Sequence, residues 1–440
     1  MKKDGLKILV IGGGGREHAL ASKIRQSHRV ERVFCLPGNP GIAAVAECVL
    51  TLPVVPVASV APSGLSDVSV LAGWAKAQEI DLTVVGPEAP LVEGIVDEFE
   101  RRGLAVFGPT AQAAEIEGSK VFAKELMEKY GIPTAAYGVF EDPVGAEAFI
   151  RKNGAPLVIK ADGLAAGKGV TVAFSVEEAV GAARDILGGA FGRAGERLVI
   201  EEFLKGEEVS VLAFSDGRTV KAMPAAQDHK RAYDGDQGPN TGGMGTYSPV
   251  PAYTPELERR VADEILRPAI EGMAREGRPF KGVLFAGLML TDRGPKVLEF
   301  NARFGDPETQ SVLRRLETDL VDILEAVVEG RLETQPVEWK SQAAACVVLA
   351  SGGYPGSYEK GKPIAGLDEA VGVAGVEVFH AGTALAGGEI VTAGGRVLGV
   401  SAVGPDVRQA LDRAYQGAGK IKFDGMQYRR DIGFRALRKE

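Results

Sequence analysis

Four apolar runs near the start of the chain each stop at a loop rich in glycine or proline, and this pattern limits the fold more than any other feature. Lys7–Ile11 ends in Gly12-Gly13-Gly14-Gly15, and Arg32–Leu36 in Pro37-Gly38-Asn39-Pro40-Gly41. Leu82–Val85 ends in Gly86-Pro87-Glu88-Ala89-Pro90-Leu91, and Ala105–Phe107 in Gly108-Pro109. The first run reads as a buried parallel strand. Helices are expected from Arg16 onward and from the 86–91 loop through Arg101. Strands alternating with helices predict a parallel α/β sheet with ligand loops at the strands' carboxyl ends.

The rest of the chain is organised differently. Thr51 to Asp67 is rich in Pro, Val and Ser without periodicity and reads as a surface connection. Lys120 to Tyr130 reads as a helix stopped by Gly131-Ile132-Pro133. From Tyr137 to the apolar run Leu198–Ile200 a compact unit of strands and short helices is expected, followed by larger α+β material to about Leu332. Gln335-Pro336 reads as a linker. The remainder is glycine-rich and strand-like, with one helix near Val407 to Ala414. At 440 residues the chain has room for about three domains.

Composition narrows the function. A hydrophobic content of 45% and a charged content of 25% suit a globular enzyme. The formal net charge of −8 argues against a nucleic-acid partner, which calls for a basic face. No stretch approaches the roughly 20 apolar residues needed to span a bilayer. The start, Met1 to Lys7, has basic residues without the apolar core of a signal peptide. A cytoplasmic protein with no membrane partner is expected. Cys35, Cys48 and Cys346 lack metal-ligand spacing and read as reduced, packed thiols.

Three segments carry chemistry. Gly12 to His18 follows a strand and opens a helix, where backbone amides and the helix dipole favour a phosphate. A dinucleotide fingerprint needs glycine where Glu17 stands and an acidic residue after the next strand; both are missing, so a phosphate monoester is favoured over NAD. Pro156 to Gly169 is a strand ending in Lys160 and a small-residue loop through Lys168. It fails the P-loop test because Gly169 stands where Ser or Thr would hold Mg²⁺, and a flap over nucleotide phosphates fits better. Leu298-Glu-Phe-Asn-Ala-Arg303 places Glu299, Asn301 and Arg303 at alternate positions, so that on a strand a carboxylate, an amide oxygen and a guanidinium share one face. Oxygen ligands suit Mg²⁺ bound together with substrate phosphates, and an adjacent arginine suits a transferring phosphoryl group.

Other clusters are weaker alone. Asp228, His229, Lys230 and Arg231 are followed by a turn-rich loop, Asp234 to Pro239, and by the glycine-rich Asn240 to Gly245. Glu201, Glu202, Phe203 and Leu204 follow an apolar strand and precede Glu208, a pattern suited to adenine and ribose in an interdomain connection. His18, His28 and His380 show no metal-ligand spacing, and no nucleophile elbow or Cys/His pair is present.

In this order these segments resemble the ATP-grasp superfamily and, more narrowly, the phosphoribosylamine–glycine ligase family of purine biosynthesis. Arg303-Phe-Gly-Asp-Pro-Glu-Thr-Gln310 is very similar to that family's signature. Gly12–Leu20, Leu36–Gly41, Gly86–Leu91, Ala161–Val170 and Gln227–Pro249 are similar to its other motifs, so the resemblance runs from Lys7 to about Arg430. It covers one such unit and therefore resembles the monofunctional form.

The resemblance implies a mixed α/β and α+β multidomain fold. Its parts are an N-terminal parallel-sheet domain for phosphoribosylamine (1–117), an ATP-grasp body (118–335) with a mobile lid (about 136–200), and a small β-rich C-terminal domain (336–440). It also implies roles. Lys120 and Lys160 are expected at ATP phosphates, Glu201, Phe203 and Leu204 at adenine, Glu208 at ribose, and Glu299 and Asn301 at Mg²⁺, with Mn²⁺ an acceptable substitute. Gly13, Gly14, Gly15, Arg16, Glu17, Pro87, Glu88, Lys230 and Gly243 are expected to bind substrate. Arg303, Asp228 and Asp306 are the expected catalytic residues. The strand preceding Glu299 offers only Gly287-Leu-Met-Leu290, without the further metal carboxylate of many ATP-grasp enzymes. The implied reaction joins glycine to 5-phosphoribosylamine through glycyl phosphate, with ATP as co-substrate and a monomer or weak dimer as the working form. A different ATP-grasp ligase or carboxylase, and a non-enzymatic sugar-phosphate or nucleotide sensor, are the rival readings.

Overall fold

The computed structural model describes residues 3–52, 55–56, 68–164 and 169–438. Most of the expected connection at 51–67, and Lys168 with its three preceding residues in the expected flap, lie outside these. The N-terminal segment forms a five-stranded parallel sheet in the order Glu47–Cys48, Val30–Pro37, Leu6–Gly12, Leu82–Val85, Val106–Phe107. Leu6–Gly12 is central and its apolar side chains Ile8, Leu9, Val10 and Ile11 are buried, as expected for a strand covered on both faces. Gly12 to Gly14 then turn the chain into the helix Gly15–Arg25. The helix expected to run through Arg101 is instead two, Glu88–Val92 and Ile95–Arg101, because Gly94 between them takes a left-handed φ of 86°.

The middle of the chain builds two sheets. A small antiparallel sheet, ordered Val170–Ala173, Leu157–Ala161, Leu198–Glu202, Tyr137–Phe140, carries the helices Pro143–Asn153 and Val176–Asp185 over its own core of Ile150, Ile159, Ala179, Leu198 and Ile200. Glu201 and Glu202 are part of its strand; they do not follow it. The larger sheet runs Val220–Ala222, Glu207–Asp216, Lys281–Thr291, Gly294–Asn301, antiparallel throughout. The small sheet is attached at Pro133 to Ala136: Val297 N–H donates to Pro133 O (2.8 Å) and Glu202 N–H to Ala136 O (2.9 Å).

The third unit crosses the expected boundary. Its antiparallel sheet is ordered Gln227–Asp228, Gly245–Ser248, Ala343–Ser351, Arg396–Gly404, Val376–His380, with Met426–Gln427 also paired to Ala343–Ser351. Two of its strands thus come from the middle of the chain. The helix Val407–Ala418 covers one face; the short helices Leu367–Val371 and Phe434–Leu437 were not legible as such. Gln335 is buried and its carbonyl accepts from Lys221 Nζ at 2.6 Å, so the chain is pinned where a free linker was expected. The loop Asp234–Pro239 is the tip of a hairpin between Arg231–Tyr233 and Gln237–Asn240, tied down by Arg429. Among the described residues no helix is long and apolar enough to cross a membrane.

Candidate active site

The strand Gly294–Asn301 supplies the centre. Its buried Val297 and Phe300 face the core, leaving Glu299 and Asn301 half-buried toward the cleft, with Glu299 opposite Gly287 of the neighbouring strand. The missing side chain at Gly287 leaves room beside the carboxylate. Phe304 anchors the segment after this strand: it stacks on Phe107 (6.0 Å between ring centres) and meets Phe214 edge-on (6.2 Å). Those contacts hold Arg303 at the edge between the first sheet and the larger one.

Arg303 is the hub. Nε donates to Glu88 Oε2 at 3.1 Å, Nη2 stands 3.1 Å from Glu117 Oε1, and Nη2 also reaches Asn301 Oδ1 at 3.5 Å. Burial alone would weaken its charge, but Glu117 and Glu88 more than compensate and hold it protonated. Glu117, at the end of the helix Ala111–Gly118, is buried and accepts from Ala302 N–H at 2.7 Å; burial pushes its carboxyl upward, against the pull of Arg303. Glu88 stays below the usual carboxylate range because Arg303 and Arg16 outweigh its desolvation.

The glycine loop is tightly specified. Glu17 turns back to accept from Gly14 N–H (2.6 Å) and from Arg16 Nε (2.5 Å), so the chain's own carboxylate caps this helix N-terminus. Arg16 Nη1 donates to Phe304 O at 3.1 Å, joining the loop to the Arg303 segment. A Cβ at Gly13 would lie 2.5 Å from Gly38 O, and one at Gly86 would lie 2.1 Å from Glu17 Oε1. Pro87 precedes Glu88 at the start of the adjoining helix.

Asp228 and Lys230 face the same cleft while His229, between them, faces away. His229 Nε2 accepts from Gly433 N–H (3.1 Å) and its Nδ1 lies 3.1 Å from Gly245 O, which makes it a buried tie to the C-terminal segment. Lys230 Nζ donates to Glu208 and lies 3.9 Å from Glu299 Oε1, and those carboxylates raise its pKa despite burial. Gly243 is packed against Asp228: a Cβ there would be 2.7 Å from Oδ1. Burial, reinforced by Glu308, drives the Asp228 carboxyl well above its ordinary range. Glu308 is raised by burial too, although Ser210 Oγ donates to it at 2.9 Å. Asp306 goes the other way, since Arg396, Arg16 and the Gln310 amide (2.8 Å) outweigh its burial.

On the other side, Lys160 Nζ donates to Leu298 O (2.9 Å) and pairs with Glu201 Oε2 at 3.0 Å. Lys124 closes on Glu201 Oε1 at 3.2 Å and donates to Thr134 Oγ1 at 2.7 Å. Lys120 Nζ reaches Gly163 O at 3.1 Å, and burial lowers its pKa. The Glu201 side chain is therefore turned into a lysine pair. Phe203 meets Phe174 edge-on at 5.7 Å, and Leu204 is nearly buried.

Four residues of this arrangement escaped the sequence reading. Lys124 lies one helical turn after Lys120, a spacing that was visible. Glu308 sits inside the Asp-Pro-Glu-Thr motif. Glu117 and Arg396 carried no local signal, because they arrive from distant segments.

The small sheet joined to the larger antiparallel sheet at Pro133 to Ala136, with Lys160 reaching the Leu298 carbonyl beside Glu299, has the architecture of an ATP-grasp enzyme. Three family models match successive parts of the chain: the phosphoribosylglycinamide synthetase N domain over residues 6–117, its ATP-grasp (A) domain over 118–309 and its C domain over 344–435. The chain belongs to the phosphoribosylglycinamide synthetase family. It is 52% identical over 437 residues to phosphoribosylamine–glycine ligase of Pseudomonas aeruginosa, covering 99% of both chains. The crystal structure of phosphoribosylamine–glycine ligase from Thermotoga maritima superposes with a TM-score of 0.81 at 36% identity, over 97% of this chain and 100% of that one. The biotin carboxylase domain of Hydrogenobacter thermophilus 2-oxoglutarate carboxylase shares the fold at a TM-score of 0.74 and 17% identity, over 97% of this chain and 92% of that one.

Proposed function

We propose that this chain joins glycine to 5-phosphoribosylamine in purine biosynthesis, converting ATP to ADP and phosphate and forming glycinamide ribonucleotide. The observation that carries this reading is Arg303, held between Glu88 of the glycine-loop domain and Asn301 of the nucleotide strand, in a chain of this family. One guanidinium thus touches groups from both proposed substrate regions.

The chemistry is set by the acid. A carboxylate acylates poorly because oxide would have to leave. Attack of a glycine carboxylate oxygen on the γ-phosphorus breaks the bond to ADP and gives glycyl phosphate. The phosphoribosylamine nitrogen then attacks the carbonyl carbon, phosphate leaves, and the nitrogen loses a proton. Arg303, kept charged by its carboxylates, is placed to stabilise the transferring phosphoryl group. Lys120 and Lys160 are assigned to the nucleotide phosphates, Glu201, Phe203 and Leu204 to adenine, and Glu208 to ribose. The 13–17 loop, Pro87, Glu88, Lys230 and Gly243 are assigned to the sugar phosphate and amine. Asp228, with a raised pKa, and Asp306, with a lowered one, offer a proton donor and a proton acceptor for the two amines. The small sheet at about 136–200 acts as the lid that excludes water from glycyl phosphate.

A divalent metal fits the site. Lys230, Lys160 and Lys120 hold Glu299 below its ordinary range against its desolvation, so it is ionised beside the Asn301 amide oxygen. Among the described residues no group of three His, Cys, Asp or Glu side chains could hold an ion alone, which suits Mg²⁺ held jointly by protein oxygens and phosphates. When bound through Glu299 and Asn301, Mg²⁺ or Mn²⁺ offsets negative charge on the nucleotide phosphates. The test is metal-dependent ADP release with phosphoribosylamine made in situ from ribose 5-phosphate and ammonia. Release is expected only with both glycine and the amine present. Release with a different acid or amine, but not with this pair, overturns the substrate assignment.

A further inference from the structure

A cavity of about 260 Å³ opens between the helix Gly15–Arg25, the helix Glu308–Arg315 and the C-terminal sheet, and no residue assigned to the nucleotide, the metal or the sugar phosphate lines it. Ser22, Lys23 and Gln26 present one face of the first helix to it, at the spacing that brings side chains onto one face. Arg314 comes from the end of the second helix, Lys340 from the segment leading into the strand Ala343–Ser351 and Glu377 from the strand Val376–His380. Three cations from separate elements therefore face one carboxylate.

The carboxylate is already engaged. Glu377 Oε1 pairs with Arg314 Nη1 at 3.0 Å, and Arg314 Nη2 donates to Gly375 O at 2.9 Å. Arg314 Nη1 is buried and makes no well-aligned hydrogen bond. Lys23 Nζ donates to the Leu316 carbonyl at 2.7 Å, a neutral partner. Burial and the positive charge of Lys340 both disfavour the Lys23 ammonium, and Glu377 and Asp319 oppose them only in part. Arg314 and the half-buried Lys23 sit close together with Glu377 as the shared carboxylate, and an anion reaching them and the exposed Lys340 would offset their remaining charge. The volume admits a phosphate group with a small substituent, and falls short of the 300–1,000 Å³ typical of larger ligands. Ser22 and Gln26 can hydrogen-bond hydroxyls beside it.

We propose that this cavity binds a phosphate group, carried by a small monoester or free in solution, at a site separate from the nucleotide cleft. Lys23, Arg314 and Lys340 hold the oxygens, and the ligand bridges the N-terminal domain to the C-terminal sheet. The site stands independently of the ligase reading.

The experiment is calorimetric titration of the full chain with inorganic phosphate and, separately, with ribose 5-phosphate. Native protein is compared with Lys340→Met, Lys23→Met and Arg303→Ala. Lys340 is exposed, so its variant tests the site even if Lys23→Met folds poorly. A binding event weakened about tenfold in Lys340→Met, the scale of one charge-assisted hydrogen bond, and retained in Arg303→Ala is the expected result. Tighter binding of ribose 5-phosphate in that event identifies a monoester as the ligand; equal binding identifies free phosphate. Titrations that are the same in native protein and Lys340→Met, or binding lost wholly with Arg303→Ala, overturn the proposal. The readout is binding, so failure of the ligase reaction would leave it standing.

Discussion

Lys160 and Glu201 form a buried ion pair, Nζ to Oε2 at 3.0 Å, across adjacent strands of the small sheet. Lys124 takes the second carboxylate oxygen at 3.2 Å and also donates to Thr134 in the segment that enters this sheet. One carboxylate thereby links both chain crossings between the small sheet and the body to the lysine assigned to phosphates.

The Lys124 ammonium is almost fully enclosed, and burial lowers its pKa from 10.5 to about 8, with Glu201 opposing. The folded chain therefore gives up this proton before the unfolded chain does. Between about pH 8 and pH 10.5 the unfolded state binds more protons, so this group's contribution to stability rises with pH. Lys124→Met removes the titration. The stability advantage of native protein over the variant should grow by about 2 kcal/mol from pH 7.5 to pH 10. Urea unfolding at the two pH values measures it, and a difference independent of pH would count against the lowered pKa.

Replacing Arg303 by alanine removes the guanidinium assigned to the phosphoryl group. It should lower kcat by about 10²–10³-fold, the scale for a group that stabilises developing charge, while KM for ATP changes much less. Arg303→Lys should recover little, because one ammonium cannot span Glu88, Glu117 and Asn301 as the planar guanidinium does. Steady-state kinetics with saturating glycine decides; unchanged turnover removes the role.

Glu308→Gln removes the negative charge that, after burial, does most to raise Asp228. The Asp228 carboxyl should then titrate at lower pH, and because the protonated form is the one that donates, the basic limb of the kcat/KM profile should move down. The Ser210 hydroxyl can still donate to the amide oxygen, which keeps the local packing. A basic limb that stays in place would show that Asp228 does not govern it.

Gly13→Ala puts a methyl group 2.5 Å from the Gly38 carbonyl oxygen, a backbone atom that cannot rotate away. The loop must shift. The expected costs are about 1–3 kcal/mol of stability and a raised KM for phosphoribosylamine with little change in KM for ATP. Thermal unfolding and the two KM values together test this, and equal effects on both substrates would dissociate the loop from the sugar phosphate.

Local sequence alone determined the parallel sheet of the first domain, the glycine loop and the Glu299–Asn301 face. Each rests on a short-range rule: apolar runs closed by glycine, a strand turning into a helix, and alternation along a strand. The helix break at Gly94 was missed because a left-handed glycine inside a helical pattern looks like any other glycine. The density of charge around Asp228 was visible, but not that His229 would turn inward to hold Gly433 while Asp228 and Lys230 faced the cleft. That division depends on Gln227–Asp228 pairing with Gly245–Ser248, which in turn joins strands from residues 343–404. Glu117 reaches Arg303 across 186 positions of chain, and Arg396 reaches Asp306 from the C-terminal sheet (3.5 Å). No local pattern encodes those meetings. Tertiary structure decided them, because the charge of a buried side chain is set by whichever groups packing brings within a few ångströms, whatever their separation in sequence.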